Sequence, residues 1–273
     1  MGGHEYYHPT PSSPPEKKMG ELSLIGMGLH DENGLTLRGL QAAKNADVLY
    51  AELYTSIMPS LSLDRLQSLL GKEIKILSRK ELEEDAEHTI LTKARHAHVA
   101  LLTPGDPMSA TTHVGLLLSA KKLGIPTVLI HSTSIVTAAA GVTGLELYKF
   151  GRTVTIPSPR TNPFPESIYE FIRDNRAIGL HTLALLDISE SRLTIAEAIQ
   201  VLLSLEHVKR AGIITEDTLM IALARVEAPD CIVRADRARD LMKCDFGGPP
   251  WSIVLPGRLH FVEAEALKLL AGA

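Results

Sequence analysis

The chain has 273 residues, room for one large domain or two medium ones with a sizeable core. Hydrophobic residues at 45% and charged residues at 22% exclude a disordered, collagen-like or low-complexity chain, and 28 Lys and Arg against 32 Asp and Glu leave a net charge of −4, which excludes a global basic field for nucleic acid. Two cysteines, Cys231 and Cys244, exclude a disulfide framework and a four-thiolate zinc site and point to a reducing, cytoplasmic setting.

Residues 1–20 are rich in Pro, Ser, Gly and charge without apolar periodicity, and read as a disordered tail. No charged-then-apolar leader opens the chain, and the longest apolar runs, such as 219–224, fall far short of the roughly 20 residues that span a bilayer, so neither secretion nor a membrane is expected. From Leu22 short apolar runs alternate with amphipathic stretches. Strands are predicted at 22–26, 48–51, 74–77, 98–102 and 127–131, and helices at 36–46, 61–70, 110–123 and near 134–141. Ser78 to Glu81 is a capping box that opens a further helix. Beyond this point the pattern changes. Residues 154–165 hold four prolines and read as linker and loop; strands are predicted at 181–188, 218–224, 231–234 and 252–255, and a second capping box at Thr194 opens a helix to His207. The expected fold class is α/β in two domains, a mostly parallel sheet with flanking helices over 21–132 and a mixed α/β unit over 133–273.

Common catalytic signatures are missing. Gly26-Met-Gly28 follows a strand, but position 31 is Asp where a dinucleotide fingerprint needs a third glycine. No phosphate-binding G-x-x-x-x-G-K-[ST], no G-x-S-x-G elbow and no H-E-x-x-H occurs, and the eleven histidines are dispersed, so no metal site is expected. Two glycine loops remain, 26–28 and 103–107, each after a strand of the expected parallel sheet, where ligands bind. Glycine there leaves backbone N–H and C=O groups open to a ligand, and Asp106 is set to accept from an amine or a ribose hydroxyl. An ordinary Pro-Gly-Asp turn explains the same residues equally well; Ser132-Thr-Ser-Ile135, closing a third strand in the same way, favours a site.

Residues 22–29 with Asp31 and Leu35-Thr36, followed by Thr103-Pro-Gly-Asp-Pro107, resemble the tetrapyrrole-methylase superfamily of S-adenosylmethionine enzymes. Finer motifs are similar to those of its diphthine synthase family: Tyr54-Thr-Ser56, Thr111-Thr-His113, Gly141-Val-Thr-Gly144, Leu147-Tyr-Lys-Phe-Gly151, Gly179-Leu-His-Thr182, Asp245-Phe-Gly-Gly-Pro-Pro250 and Pro256-Gly-Arg-Leu-His260. The resemblance spans about residues 22–272, and the chain is close in length to the shorter, archaeal-type members.

The resemblance implies methyl transfer from S-adenosylmethionine to the amine of an aminocarboxypropyl group on a modified histidine of translation elongation factor 2, giving diphthine and S-adenosylhomocysteine. It implies a homodimer, for which the small-residue stretch 138–147 offers a flat contact, and a cofactor held in the cleft between the domains. By motif position, cofactor contacts fall on Leu29, Asp106, Ser109, Ser134, Ile135, Leu186, Val226 and Trp251. Such a transfer needs neither a metal nor a covalent intermediate. Asp31, Glu52 and His113 are candidates for the group that takes the amine proton, with no assignment among them. Two other readings are a methylase of the same superfamily acting on a tetrapyrrole or ribosomal RNA, and a non-catalytic cofactor-binding module.

Overall fold

The alternation of apolar runs with amphipathic stretches folds as two five-stranded sheets in succession. The computed structural model describes residues 20–159, 166–188 and 192–273; the expected tail, apart from Gly20, and residues 160–165 of the expected linker lie outside the described residues. In the first half β1 (Glu21–Gly26), α1 (Leu37–Asn45), β2 (Val48–Ala51), α2 (Leu63–Leu70), β3 (Ile74–Ile76), α3 (Arg79–Glu83), α4 (Ile90–Ala94), β4 (His98–Thr103), α5 (Val114–Lys122) and β5 (Thr127–Ile130) follow one another. All strand pairs are parallel, in the order β3-β2-β4-β1-β5. Side chains alternate between two cores: Leu22, Leu24, Val99 and Leu101 face one layer of helices, and Ile25, Ala100 and Leu102 the other.

The second half contains α6 (Ile135–Thr143), β6 (Val154–Ile156), α7 (Ser167–Ala177), β7 (Thr182–Leu186), α8 (Ile195–Lys209), β8 (Leu219–Ala224), β9 (Ile232–Arg237), α9 (Ala238–Leu241), β10 (Trp251–Leu255) and α10 (Phe261–Ala271). Its sheet is mixed, as expected: the order is β6-β7-β10-β8-β9, with only β6 and β7 parallel. None of the described helices is long and apolar enough to cross a membrane.

Several elements depart from the sequence reading. Residues 154–156, expected in a loop, form an edge strand that adds to β7. The helix expected from 110 begins at Val114, because Ala110 is left-handed, with φ +57°. Helices α7 and α10 were not predicted. α10 carries apolar residues on both faces, with Leu267 and Ala271 buried and Phe261, Val262, Leu269 and Leu270 exposed, so its periodicity is blurred. Much of the stretch expected to offer a flat contact is packed inside its own chain, with Ala139, Ala140, Thr143 and Leu145 buried.

One buried carboxylate ties the second half together. Glu263, fully buried in the first turn of α10, accepts from the His260 N–H at 2.8 Å, the Glu146 N–H at 3.1 Å and the His181 Nε2–H at 2.9 Å, and pairs with Lys149. The Gly257 N–H donates to His181 Nδ1 at 2.9 Å, which fixes the proton on Nε2. Burial alone would push the Glu263 carboxyl up; the His260 N–H, Lys149, the Glu146 N–H and His181 outweigh it and hold it at about 2. Burial holds His181 below the ordinary imidazole value, against the pull of Glu263. Glu263→Gln is expected to cost about 3 kcal/mol near neutrality, since it leaves Lys149 without its counter-charge. In the wild type this contribution is complete above 4.5 and is lost as pH falls towards 2. His181 adds a loss below 6.5, where the unfolded imidazole binds a proton before the buried one does. Urea unfolding of both proteins across the acid range measures this, with a flatter slope expected for the variant.

Candidate active site

Strands β4, β1 and β5 are adjacent and parallel, so the loops leaving their carboxyl ends emerge side by side. The two glycine loops bind each other. The Gly28 N–H donates to the Gly105 carbonyl at 3.2 Å, and the Gly105 N–H to the Gly28 carbonyl at 2.7 Å. Both residues are left-handed, with φ +77° and +66°, and a Cβ on Gly26 would stand 2.5 Å from the Gly105 oxygen. The backbone groups expected to serve a ligand are therefore satisfied within the protein, and the glycines serve the close approach of two loops.

Asp106 is likewise more deeply engaged than an exposed turn residue. It is 6% exposed. One carboxylate oxygen accepts from the Met108 N–H at 2.9 Å and the Ser109 hydroxyl at 3.2 Å; the other takes His131 Nδ1 at 2.8 Å and the Ser132 N–H at 3.3 Å. These contacts fill about four acceptor positions and fasten the loop after β4 to the loop after β5. Burial pushes the carboxyl up, but the Met108 N–H, His131 and the Ser132 N–H together hold it below its ordinary value.

Above this floor lies a cavity of about 890 Å³. Its opposite wall comes from the second sheet. Because β10 runs antiparallel to both β7 and β8, its first residues sit beside their carboxyl ends: Trp251 is opposite Ala224 and Ser252 opposite Leu185. Leu29, Asp106, Ser109, Ser134, Ile135, Leu186, Val226 and Trp251 all line this one cavity. Leu29, Ile135, Leu186 and Val226 supply apolar walls, and the buried Trp251 Nε1–H has no partner among the described residues. An unsatisfied donor beside apolar walls fits a flat, heteroatom-bearing ligand. Ser134 caps α6, its hydroxyl accepting from the Val136 N–H at 3.2 Å.

The three proposed proton acceptors do not line the cavity. Asp31 caps a one-turn 3-10 helix at Glu32–Gly34. Glu52, fully buried, accepts from the N–H groups of Tyr54 and Thr55, each at 3.1 Å, and from the Thr55 hydroxyl at 2.5 Å. His113 is buried with Nδ1 at 3.2 Å from the Pro107 carbonyl and Nε2 at 3.6 Å from Glu52. These groups shape the loops behind the site. The sequence reading missed Arg79, Asp187 and Arg192, which do line it. Residues 53–57 also line it, and Tyr54-Thr-Ser56 was noticed only as a pattern. Burial, Glu52 and Glu83 push the Tyr54 phenol up to about 12, so it stays protonated. Among the described residues no group of three or more His, Cys, Asp or Glu is arranged to hold a metal ion.

The profile of the Tetrapyrrole (Corrin/Porphyrin) Methylases matches residues 21–219. The chain is 44% identical to a diphthine synthase of Methanocaldococcus jannaschii, over 91% of this chain and 98% of that protein. It is 43% identical to a diphthine synthase of Methanocella arvoryzae, over 92% and 98%. The chain belongs to the diphthine synthase family. A crystal structure of a diphthine synthase superposes with a TM-score of 0.85 at 35% identity, covering 92% of this chain and 96% of that one. The two-sheet architecture is thus that of a tetrapyrrole-methylase fold.

Asp106→Ala is expected to lower the stability of the ligand-free protein by about 2–4 kcal/mol, because it strands buried donors from two loops. Urea unfolding without ligand measures this; a change below about 0.5 kcal/mol, as at a surface site, would show that the loops hold together without the carboxylate.

Proposed function

We propose that the chain transfers methyl groups from S-adenosylmethionine to the amine of the aminocarboxypropyl group on a modified histidine of translation elongation factor 2, giving diphthine. It acts in the cytosol as a homodimer of two-domain subunits divided near residue 132. The observation that carries the site assignment is the convergence of eight motif residues, drawn from both sheets, on one cavity. Leu29, Ile135, Leu186, Val226 and Trp251 would wall the cofactor, while Asp106, Ser109 and Ser134 present the polar rim of the floor. Bound there, the sulfonium would supply an activated methyl group, so the chain needs no nucleophile of its own.

The protein's part is orientation. The floor is held by backbone bonds between its loops and the wall by the β7-β10-β8 ladder, so each side is ordered before a ligand binds. The acceptor amine must be neutral when it attacks, so a base or water takes its proton. The test is mass spectrometry of purified, unmethylated elongation factor 2 incubated with the protein and S-adenosylmethionine. Successive additions of one methyl mass on the modified histidine are expected; methylation of a tetrapyrrole or ribosomal RNA in its place would overturn the reading.

The homodimer reading is supported by exposed apolar residues on neighbouring elements. Leu147 and Tyr148 on the 3-10 helix Leu147–Lys149 and Phe261, Val262, Leu269 and Leu270 on α10 are exposed, and Glu263 ties the two elements together. A patch of this kind marks an interaction surface. Light scattering is expected to give twice the 29.7 kDa chain mass, and Phe261→Glu to shift the population towards monomer.

A further inference from the structure

The order of strands divides the cavity. Leu29, Asp106, Ser109, Ser134 and Ile135 come from the loops after β1, β4 and β5. Residues 53–57 and Arg79 come from the loops after β2 and β3, at the other edge of the sheet. β3 stands three strand positions from β1, roughly 14 Å at about 4.8 Å per strand. None of the proposed cofactor contacts comes from this edge. The cavity volume of about 890 Å³ also lies near the top of the roughly 300–1,000 Å³ usual for a ligand pocket. That leaves room for an acceptor side chain beside a cofactor.

Two cations line the cavity among the described residues, Arg79 and Arg192. Arg192 lies beyond β7, the strand of the second sheet that carries Leu186. Arg79 opens α3 behind the Ser78 cap, its guanidinium 5.1 Å from the centre of the Tyr54 ring. It makes no hydrogen bond among the described residues. Its ion-pair partner Glu83 is 3.9 Å away, and the two side chains are 66% and 32% exposed, so the pair neither neutralises nor immobilises it. The ring beneath it is fixed, because buried Glu52 holds the Tyr54 and Thr55 backbone. A guanidinium with unused donors therefore stands on a fixed aromatic shelf, inside the cavity, at the edge away from the cofactor contacts.

We propose that Arg79 binds the carboxylate of the acceptor's aminocarboxypropyl group, making the β2–β3 edge the acceptor subsite; this rests on the methyl acceptor proposed above. The acceptor differs from a plain alkylamine in carrying a carboxylate on the carbon that bears the amine. A guanidinium fork matches that carboxylate in two parallel hydrogen bonds and so places the carbon that carries both it and the amine. Selectivity for this amine over a lysine amine follows, since a lysine side chain leaves the guanidinium unpaired.

The experiment is steady-state methylation of unmethylated elongation factor 2 by wild type, Arg79→Gln, Arg79→Lys and Arg192→Gln, with S-adenosylhomocysteine affinity and melting temperature measured on each. Arg79→Gln is expected to raise KM for the elongation factor by about 10- to 100-fold, with S-adenosylhomocysteine affinity within about twofold and an unchanged melt. Arg79→Lys recovers part of the loss. An elongation factor whose aminocarboxypropyl carboxylate has been converted to the carboxamide is expected to be poor for wild type and no poorer for Arg79→Gln. An unchanged acceptor KM in Arg79→Gln overturns the assignment, as does retained preference for acid over amide. The acceptor effect in Arg192→Gln alone does the same. A wild type that leaves elongation factor 2 unmethylated removes the underlying functional reading, a failure separate from that of Arg79.

Discussion

The reciprocal backbone pair between Gly28 and Gly105 is the contact on which the site depends. Loops at the carboxyl ends of parallel strands ordinarily splay towards solvent. Here β1 and β4 are neighbours, and the absence of a Cβ at Gly26 lets the loop after one come within bonding distance of the loop after the other. Asp106, fixed at the next position, extends the link to His131 and Ser132 beyond β5. Three loops then move as one floor. Binding a ligand on such a floor requires little further ordering, which favours affinity and precise placement of a reacting atom.

The opposite wall is built by a different device. Antiparallel β10 delivers its first residues to the carboxyl ends of β7 and β8, so Trp251 reaches the cavity from a central strand of a sheet rather than from a loop tip. The approach to that strand is pinned by Arg225. This residue is left-handed, with φ +49°, and 8% exposed. Its guanidinium donates to Asp230, to the Phe246 carbonyl at 2.6 Å and to the Gly248 carbonyl. A buried guanidinium is costly to desolvate unless its donors are satisfied. Its yield here is position, since it binds the segment after β8 to the segment before β10. Both segments end at the cavity, at Val226 and Pro250.

The strands of the first half were legible in the sequence nearly to the residue, because each is a short apolar run bounded by glycine, polar or charged residues. Thr36, Ser62, Ser78, Ser134 and Thr194 cap their helices through their side chains. Legibility failed where apolar pattern and burial diverge. α10 is apolar on both sides, and the short edge strand β6 lies within a proline-rich stretch. The site was half legible. The loops after β1, β4 and β5 stood out by their glycines and small polar residues, but Asp106 read as an exposed acceptor when its bonding is taken up internally. Lys149, His181 and His260, noticed as parts of motifs, converge on Glu263, a partner 82 positions from His181 that no local pattern announces. Arg79 read as part of a capping box, and only the parallel pairing of β2 with β3 brings it to the cavity.

The central claim is that one cavity, floored by the glycine loops and walled by the start of β10, holds the cofactor. Hydrogen exchange followed by mass spectrometry, with and without S-adenosylhomocysteine, tests it most directly. The account predicts slowed exchange in residues 26–34, 105–113 and 131–137 of the floor and in 224–228 and 251–252 of the wall, with little change in α7, α8 or α10. Protection absent from both sets of loops, or confined to elements away from the cavity, would contradict it.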